Sequence, residues 1–593
     1  MVRHVDFALI FLALLTCGIS RAASDTATAT EAAPETIVLP KYDVTTDRVL
    51  APIEKWDYVA IDGFEILSNA PNKETRRFVK DFCLLQQVAK ILLPGAKTVS
   101  PAPTSIVLCE KEKAFAAFLP QEDAKSSAPV RGRFLSNGER DAIVVDFGSG
   151  DNPGLADTFD FSWDSAFRSF YLQYFRQIIR RSIKPAPPYW LEEGLVQLFA
   201  NTDFSDTHIN FADLDRHDTS VRTANQSDSM LSSSAPRISE SMIPERELPR
   251  DARQFASSGD FRSIFSQRGF IPLKEFFAVS GNTPVEKRPE YFSTQAFLFT
   301  HLCLYGQEQR YASAFFKLAE ESARGPITEE IFKKHFGMSY STMQIEMRSY
   351  IEFTNYKSLQ MSSGKSKTKL AEVPPFTVRP ATDAESSRIS GEVLRLAGHK
   401  HAALNRLIAA YVRGNYDADL LAVLGCAELD AGHAERARKF LETAFRDKTT
   451  QTQAYLELAK LRVSEINAKL SKEGRMATQD EIAYMQAPLY AGLKQPAAGA
   501  AFHSLIARTW LISPTVPTKE QYGQLLLAAQ KYYHDLGLVY YVAELGRKIG
   551  YPDMSRQLAV FGMNNAADAK AKARFEALLR ELPSEKQAAG PKP

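Results

Sequence analysis

Apolar and polar positions alternate over residues 56–68 closely enough to predict one or two strands. Residues 72–93 change to helical spacing and stop at Pro94-Gly95. A short strand at 105–109 and a short helix at 110–118 follow. Two more runs, 130–135 and 141–147, flank Asn137-Gly138 and predict a hairpin. The order strand, helix, strand, helix, strand, strand describes a small α/β unit. Two helices are expected next, at 163–182 and 188–201, with Pro188 suited to a first turn. Residues 202–260 are rich in Ser, Asp, Thr and Arg, with few large apolar side chains in 218–239, and are expected to be a polar insertion. A strongly apolar helix occupies 291–304. Residues 361–385 are polar and Pro-containing, a linker pattern, and beyond 386 only helical patterns remain, to about 582.

The helical stretch repeats. Gly391, Gly398, Ala403, Leu407 and Ala410 recur 34 residues later as Gly425, Gly432, Ala437, Leu441 and Ala444. This is the tetratricopeptide period, and small residues at fixed places suit the close crossing of two helices within one repeat. The offset predicts helix pairs over about 386–414 and 420–446, with a third copy opening at Tyr455-Leu456-Glu457-Leu458-Ala459 and interrupted by a charged stretch near 466–482. The array is assigned to 386–590 and is expected to offer a concave surface to a protein or peptide partner.

Composition changes this picture little. The 593 residues suggest three or four domains, and 45% apolar with 24% charged residues is ordinary globular usage. A net charge of +2 without a long basic run gives no argument for nucleic acid. Residues 1–23 have the pattern of an export signal: Arg3, the apolar run 7–15, and Ser20-Arg21-Ala22 as a cleavage site. The run is too short to span a bilayer, and no later stretch suits a transmembrane span. An extracytoplasmic location, periplasmic or secreted, is expected, with residues 24–45 as a linker. Attachment through Cys17 is a less favoured alternative. Cys83, Cys109, Cys303 and Cys426 match no metal or redox spacing; buried small apolar residues are expected, with a Cys83–Cys109 bridge as the alternative.

Residues 189–196 read Tyr-Trp-Leu-Glu-Glu-Gly-Leu-Val. This run resembles the W-L-x-E-G-L-A helix of gluzincin zinc peptidases, whose Glu is the third zinc ligand. Tyr291, Thr294, Ala296 and Leu302 resemble a helix that follows that motif in bacterial peptidase MA-like proteins. The resemblance covers roughly 50–355. It implies an α+β domain, with an N-terminal lobe at 46–155 and a helical lobe at 156–360. In that family an H-E-x-x-H helix lies upstream, with about eighteen residues before the Glu. Counting back from Glu193 places the window at Phe170-Tyr171-Leu172-Gln173-Tyr174, which has neither His nor the Glu general base. Phenyl rings offer no donor atoms, and a phenol of pKa about 10 is a poor zinc ligand at neutral pH. The resemblance therefore implies a remnant site of Phe170, Tyr171, Tyr174, Trp190 and Glu193, with no catalytic residues, no metal and no cofactor.

Within that site Tyr174 and Glu193 are expected to face each other, with Arg168, Arg176 and Arg180 as competing partners for the carboxylate and Glu192 turned to solvent. Asp213, Asp215, His217 and Asp218 form a carboxylate-rich group in the insertion, read as a solvated loop because the Gly and Glu of a calcium loop are missing. Gly148-Ser149-Gly150 with Gly154 is read as a turn. His399 and His401 are expected to be exposed. The chain is thus expected to be an exported, catalytically inactive peptidase-like protein that binds protein or peptide through its array. The alternative is an active extracytoplasmic hydrolase with non-standard site residues.

Overall fold

The computed structural model describes residues 37–42, 52–98, 103–120, 131–147, 161–183, 186–204, 208–211, 265, 269–281, 283, 291–322, 325–353, 359–362, 372–566 and 568–583. In chain order the first elements are β1 (Asp57–Ile61), β2 (Phe64–Ser68), α1 (Asn72–Leu92), β3 (Thr104–Cys109), α2 (Glu112–Ala116), β4 (Gly132–Ser136) and β5 (Asp141–Asp146). Helices α3 (Phe161–Ser182) and α4 (Tyr189–Ala200) lead to short strands β6 (Asp203–Phe204) and β7 (His208–Phe211). Then come α5 (Leu273–Ala278), α6 (Phe292–Tyr305), α7 (Ala312–Ser322), α8 (Glu329–Phe336), α9 (Tyr340–Phe353), β8 (Leu359–Ser362) and β9 (Arg379–Pro380). Elements β1 to β5, α1 to α4 and α6 fall where the periodicity put them, within a residue or two at most ends, whereas β6 and β7 lie in the expected polar insertion and α5, α7 to α9, β8 and β9 were not predicted.

Six strands form one mixed sheet in the order β4-β5-β3-β2-β1-β9. Strands β2, β3 and β5 run parallel to one another, β1 and β4 pair antiparallel with β2 and β5, and β9 pairs antiparallel with β1. Parallel strands need both faces covered, and the side chains divide accordingly. On one face Ile66, Ile106, Leu108, Ile143 and Val145 pack with Phe78 and Phe82 of α1 and with Phe170 and Tyr174 of α3. On the other, Leu67, Val107, Leu135, Ala142 and Val144 pack with Phe115, Phe118, Ile389 and Val393.

Ile389 and Val393 belong to the array. Its helices are α10 (Asp383–Leu396), α11 (Lys400–Val412), α12 (Ala418–Asp430), α13 (Ala434–Arg446), α14 (Thr452–Glu473) and α15 (Gln479–Leu493). They continue with α16 (Ala500–Leu511), α17 (Lys519–Lys531), α18 (Leu536–Lys548), α19 (Pro552–Asn565) and α20 (Ala569–Glu581). The first helix of the array is therefore the second cover of the sheet. Buried ion pairs bind the same junction: Arg140 holds Glu392 through two bonds of 2.8 and 2.6 Å, and Arg388 holds Glu65 at 2.7 and 3.0 Å. The end of the expected linker is part of this junction. Residues 379–380 add the edge strand beside β1, and Thr382 with Glu385 forms a capping box that starts α10.

The repeat period is visible in the structure. Helices α11 and α13 begin 34 residues apart, at Lys400 and Ala434. A Cβ on Gly391 would stand 2.7 Å from Leu407 Cγ, and one on Gly425 would stand 2.7 Å from Leu441 Cγ. Gly398 and Gly432 have φ of +85° and +84° in the turns between helices, so left-handed backbone fixes glycine there. The third pair departs from the pattern: the charged stretch does not interrupt α14, which runs 22 residues to a left-handed Gly474. His399 is half-buried rather than exposed, its Nε2 bonded to the Leu119 carbonyl at 2.5 Å, while His401 is exposed.

Replacing Gly425 by alanine tests the crossing. Helix propensity favours alanine by about 1 kcal/mol, whereas overpacking a tight core costs about 1–3 kcal/mol. A net loss of up to about 2 kcal/mol is expected in urea unfolding, with Gly425→Ala and Leu441→Ala together costing less than the sum of the two. A gain in stability from Gly425→Ala would show that the helices do not meet there.

Candidate functional site

The residues that carry the peptidase resemblance lie on α3, α4 and α6, and each has a packing partner. Trp190 is buried with its ring 5.4 to 5.8 Å from Phe277, Phe299 and Phe315. Gly194 sits where α4 crosses α6: a Cβ there would meet the Ala296 carbonyl oxygen at 2.6 Å and collide with the Thr300 hydroxyl. Glu192 and Glu193 are both buried, at 4% exposure. Two unpaired carboxylates cannot be buried together at tolerable cost, so their partners decide what the site is.

Those partners are guanidinium groups from α3. Arg176 bridges both carboxylates, Nη1 to Glu192 Oε1 at 2.7 Å and Nη2 to Glu193 Oε2 at 2.9 Å. Arg180 adds Nε and Nη2 on Glu192 at 2.8 and 2.9 Å, and Gln197 Nε2 donates to the other oxygen of Glu193 at 3.0 Å. Burial pushes the Glu193 carboxyl up, but the charge of Arg176 with hydrogen bonds from Gln197, Arg176 and Ser293 outweighs it and holds the group below its ordinary pKa. For Arg176, burial works against the charged form and the two carboxylates more than restore it. Both oxygens of Glu193 are committed to donors, so the carboxylate is an anion locked in an ion cluster, poorly suited to act as a base.

Two expectations about this site are corrected. Glu192 is turned inward, because two arginines from α3 reach it. Tyr174 does not partner Glu193: its phenol donates to the Thr98 carbonyl at 3.3 Å, and burial drives its pKa up. Phe170 and Tyr174 lie on the α3 face toward α1 and the sheet, with rings 4.8 to 6.0 Å from Phe78, Phe82 and Phe64. Tyr171 stacks on Phe204 at 5.9 Å. The face of α3 toward α4 carries Arg168, bonded to Asn201, together with Phe175, Arg176 and Arg180. The proposed remnant site thus divides into an aromatic core and an ion cluster on opposite sides of one helix.

Among the described residues no three His, Cys, Asp or Glu side chains assemble as metal ligands. Cys83, Cys109, Cys303 and Cys426 are free and buried, so the bridge considered for the first two is not formed. Asp213, Asp215, His217 and Asp218, the Gly148–Gly154 turn, Cys17 and the export signal lie outside the described residues. A cavity of about 260 Å³ lies between the β4–β5 turn and the array, lined in part by Glu139, Arg140, Arg181, Thr452 and Phe502. Its two arginines are already bound, Arg140 to Glu392 and Arg181 to Asp141 at 2.7 Å.

One contact falls in the stretch expected to be a plain linker. Residues 37–42, Ile-Val-Leu-Pro-Lys-Tyr, lie along the array. The Tyr42 phenol donates to Glu428 Oε1, and its ring packs edge-on to Tyr411 at 5.7 Å and stacked with Phe440 at 6.2 Å. Tyr411 in turn donates to the Pro40 carbonyl at 2.9 Å, and Leu39 packs on the same apolar cluster. The sequence held a signal for it: an apolar island ending in tyrosine inside an Ala/Thr/Glu-rich stretch.

No known protein family and no curated protein matches the chain. Among solved structures it is similar to a thermophilic TPR protein of Thermus thermophilus, at 15% identity and a TM-score of 0.23, over 33% of this chain and 99% of that one. The helical-repeat assignment stands on the internal geometry of α10 to α13 described above.

Proposed function

We propose that the chain is a non-catalytic scaffold that binds a protein or peptide partner through its helical-repeat array. The observation that carries this reading is the array itself, eleven helices among the described residues, α10 to α20, built on tandem pairs with the same crossing at Gly391 and Gly425. Repeat stacks expose long surfaces relative to their cores, and such surfaces suit macromolecular partners better than small substrates. The part of the array available to a partner is narrower than the sequence implied, since α10 is spent on covering the sheet.

In this reading residues 50–355 are a peptidase-like body without peptidase chemistry. The guanidinium of Arg176 stands beside Glu193 where the resemblance would put a metal, and it neutralises the carboxylate with one fixed positive charge. Export, and with it a periplasmic or secreted location, belongs to the same proposal and rests on residues 1–23.

Cross-linking mass spectrometry on the purified full chain with captured partners tests the reading. Cross-links concentrated on residues 383–581 are expected, together with no chelator-sensitive hydrolysis of casein. Stoichiometric zinc whose removal abolishes a measurable hydrolysis would instead establish the enzyme alternative.

A further inference from the structure

Helices α11, α12 and α13 form a groove that residues 37–42 cover, and with that segment in place the acid at its base is fully buried. Glu428 of α12 has no exposure, and it accepts His433 Nδ1 at 2.6 Å and Arg436 Nη2 at 3.0 Å. Tyr411 of α11 and Phe440 of α13 meet edge to face, with ring centroids 5.2 Å apart. Into this groove residues 37–42 place three groups. Tyr42 packs against both rings, edge-on to Tyr411 and stacked with Phe440, under the Arg436 guanidinium at 5.8 Å, and reaches Glu428 with its hydroxyl. The Pro40 carbonyl accepts from Tyr411, and Leu39 packs on the cluster beneath. Val38 and Lys41 point outward, Val38 being 68% exposed.

We propose that this groove is a peptide-binding site for an extended segment of the form apolar–proline–any–tyrosine, and that residues 37–42 occupy it in cis. The segment has the features of a ligand rather than of a structural strand. It forms no sheet ladder among the described residues, is held by one backbone carbonyl and two side chains, and is joined to the body through residues 43–51. The recognition chemistry is specific. A buried carboxylate accepts a hydrogen bond only from a neutral donor or a cation, so a tyrosine hydroxyl fits where a phosphorylated or sulfated one would be repelled. A third ring completes the Tyr411–Phe440 pair, edge-on to one and stacked with the other, so an aromatic side chain suits this position. A partner that enters here presents the same pattern and displaces residues 37–42.

The size of the cis effect can be bounded. A segment linked in cis through nine residues acts at an effective concentration on the order of 1 mM, and the free hexapeptide is taken to bind with a Kd on the order of 100 µM. The groove is then about 90% filled, and a competitor's apparent affinity is weakened about tenfold. This inference rests on the array being a binding surface, and its test is separable from that reading.

The experiment uses the full chain and a fluorescently labelled peptide of residues 37–42, followed by fluorescence anisotropy. The chain carrying Leu39→Asp with Tyr42→Ala is expected to bind the peptide about tenfold tighter than the unaltered chain. A Tyr42→Phe peptide should bind that opened chain at least tenfold weaker than the tyrosine form, since it loses a hydrogen bond to a charged group. Should the double variant misfold by circular dichroism, the isosteric Tyr42→Phe chain replaces it and should still bind the tyrosine peptide tighter than the unaltered chain. Equal affinity for opened and unaltered chains, or no binding to either, overturns the proposal. A partner cross-linked to α16–α20 in the same preparation would leave the scaffold reading standing while this groove assignment fails.

Discussion

Arg176→Met is expected to destabilise the protein by about 3–5 kcal/mol, the range for breaking one partner of a buried ion pair. Arg176 is the shared cation of Glu192 and Glu193, whose side chains are each 5% exposed. Arg180 keeps Glu192 neutralised after the change. Glu193 is left with Gln197 and Ser293 as uncharged donors, which cannot offset a buried negative charge. Adding Glu193→Gln removes that charge, so the double variant should recover most of the loss in urea denaturation. The reverse order is equally informative: Glu193→Gln alone should cost less than Arg176→Met, because Arg176 still pairs with Glu192. If Arg176→Met costs under about 1 kcal/mol, typical of an exposed pair, the cluster is open to water and Glu193 is available for other chemistry.

The cluster also fixes a pH dependence. Glu193 and Glu392 are both held below the ordinary carboxylate pKa, each by an arginine that outweighs the effect of burial. A depressed folded-state pKa contributes stability that is complete above the unfolded value and lost as pH falls through the folded one. Both contributions therefore start to decline below about pH 4.5, the ordinary value for a glutamic acid.

Much of the fold was legible because its signals are periodic. Strands β1 to β5 alternate or run apolar, and the 34-residue offset repeats the same contact twice. The candidate site was legible in composition and illegible in phase. Eighteen residues counted back from Glu193 reached Tyr174, yet neighbouring positions on a helix are turned by about 100°. The interval taken from a resemblance therefore selected the face toward α1, while Arg176, two residues further on, faces α4. The same arginine was named among three possible partners, but no sequence rule could choose between Arg168, Arg176 and Arg180 without the helix rotation. Glu192 was misjudged for a related reason: one acid beside another suggests solvent, unless two cations arrive from a helix elsewhere in the chain. The junction was missed because Arg140 and Glu392 are 252 positions apart, and a polar, proline-containing run before α10 has the composition of a free linker. Short-range pattern carries no information about such pairs.

That junction sets the second large effect. An array excised from residue 383 onward is expected to lose its cooperative unfolding transition or to self-associate. In the full chain Ile389, Val393 and Leu394 lie against the sheet with Val107, Val144 and Phe118. Burying one such aliphatic side chain contributes about 1.5–3 kcal/mol, so three contribute roughly 5–9 kcal/mol as an upper estimate. This is comparable to the whole stability of many domains, about 5–15 kcal/mol. Excision also leaves Glu392, 3% exposed, without Arg140, and Arg388 without Glu65. The apolar stripe and the orphaned charges appear on the same face of α10, so neither solvation nor a simple rearrangement satisfies both. Size-exclusion chromatography and thermal circular dichroism of the fragment against the full chain check this. A monomeric fragment with an unchanged midpoint would mean that α10 merely rests on the sheet. The expected outcome makes the sheet and the first repeat one folding unit, so binding variants are best made in the intact chain.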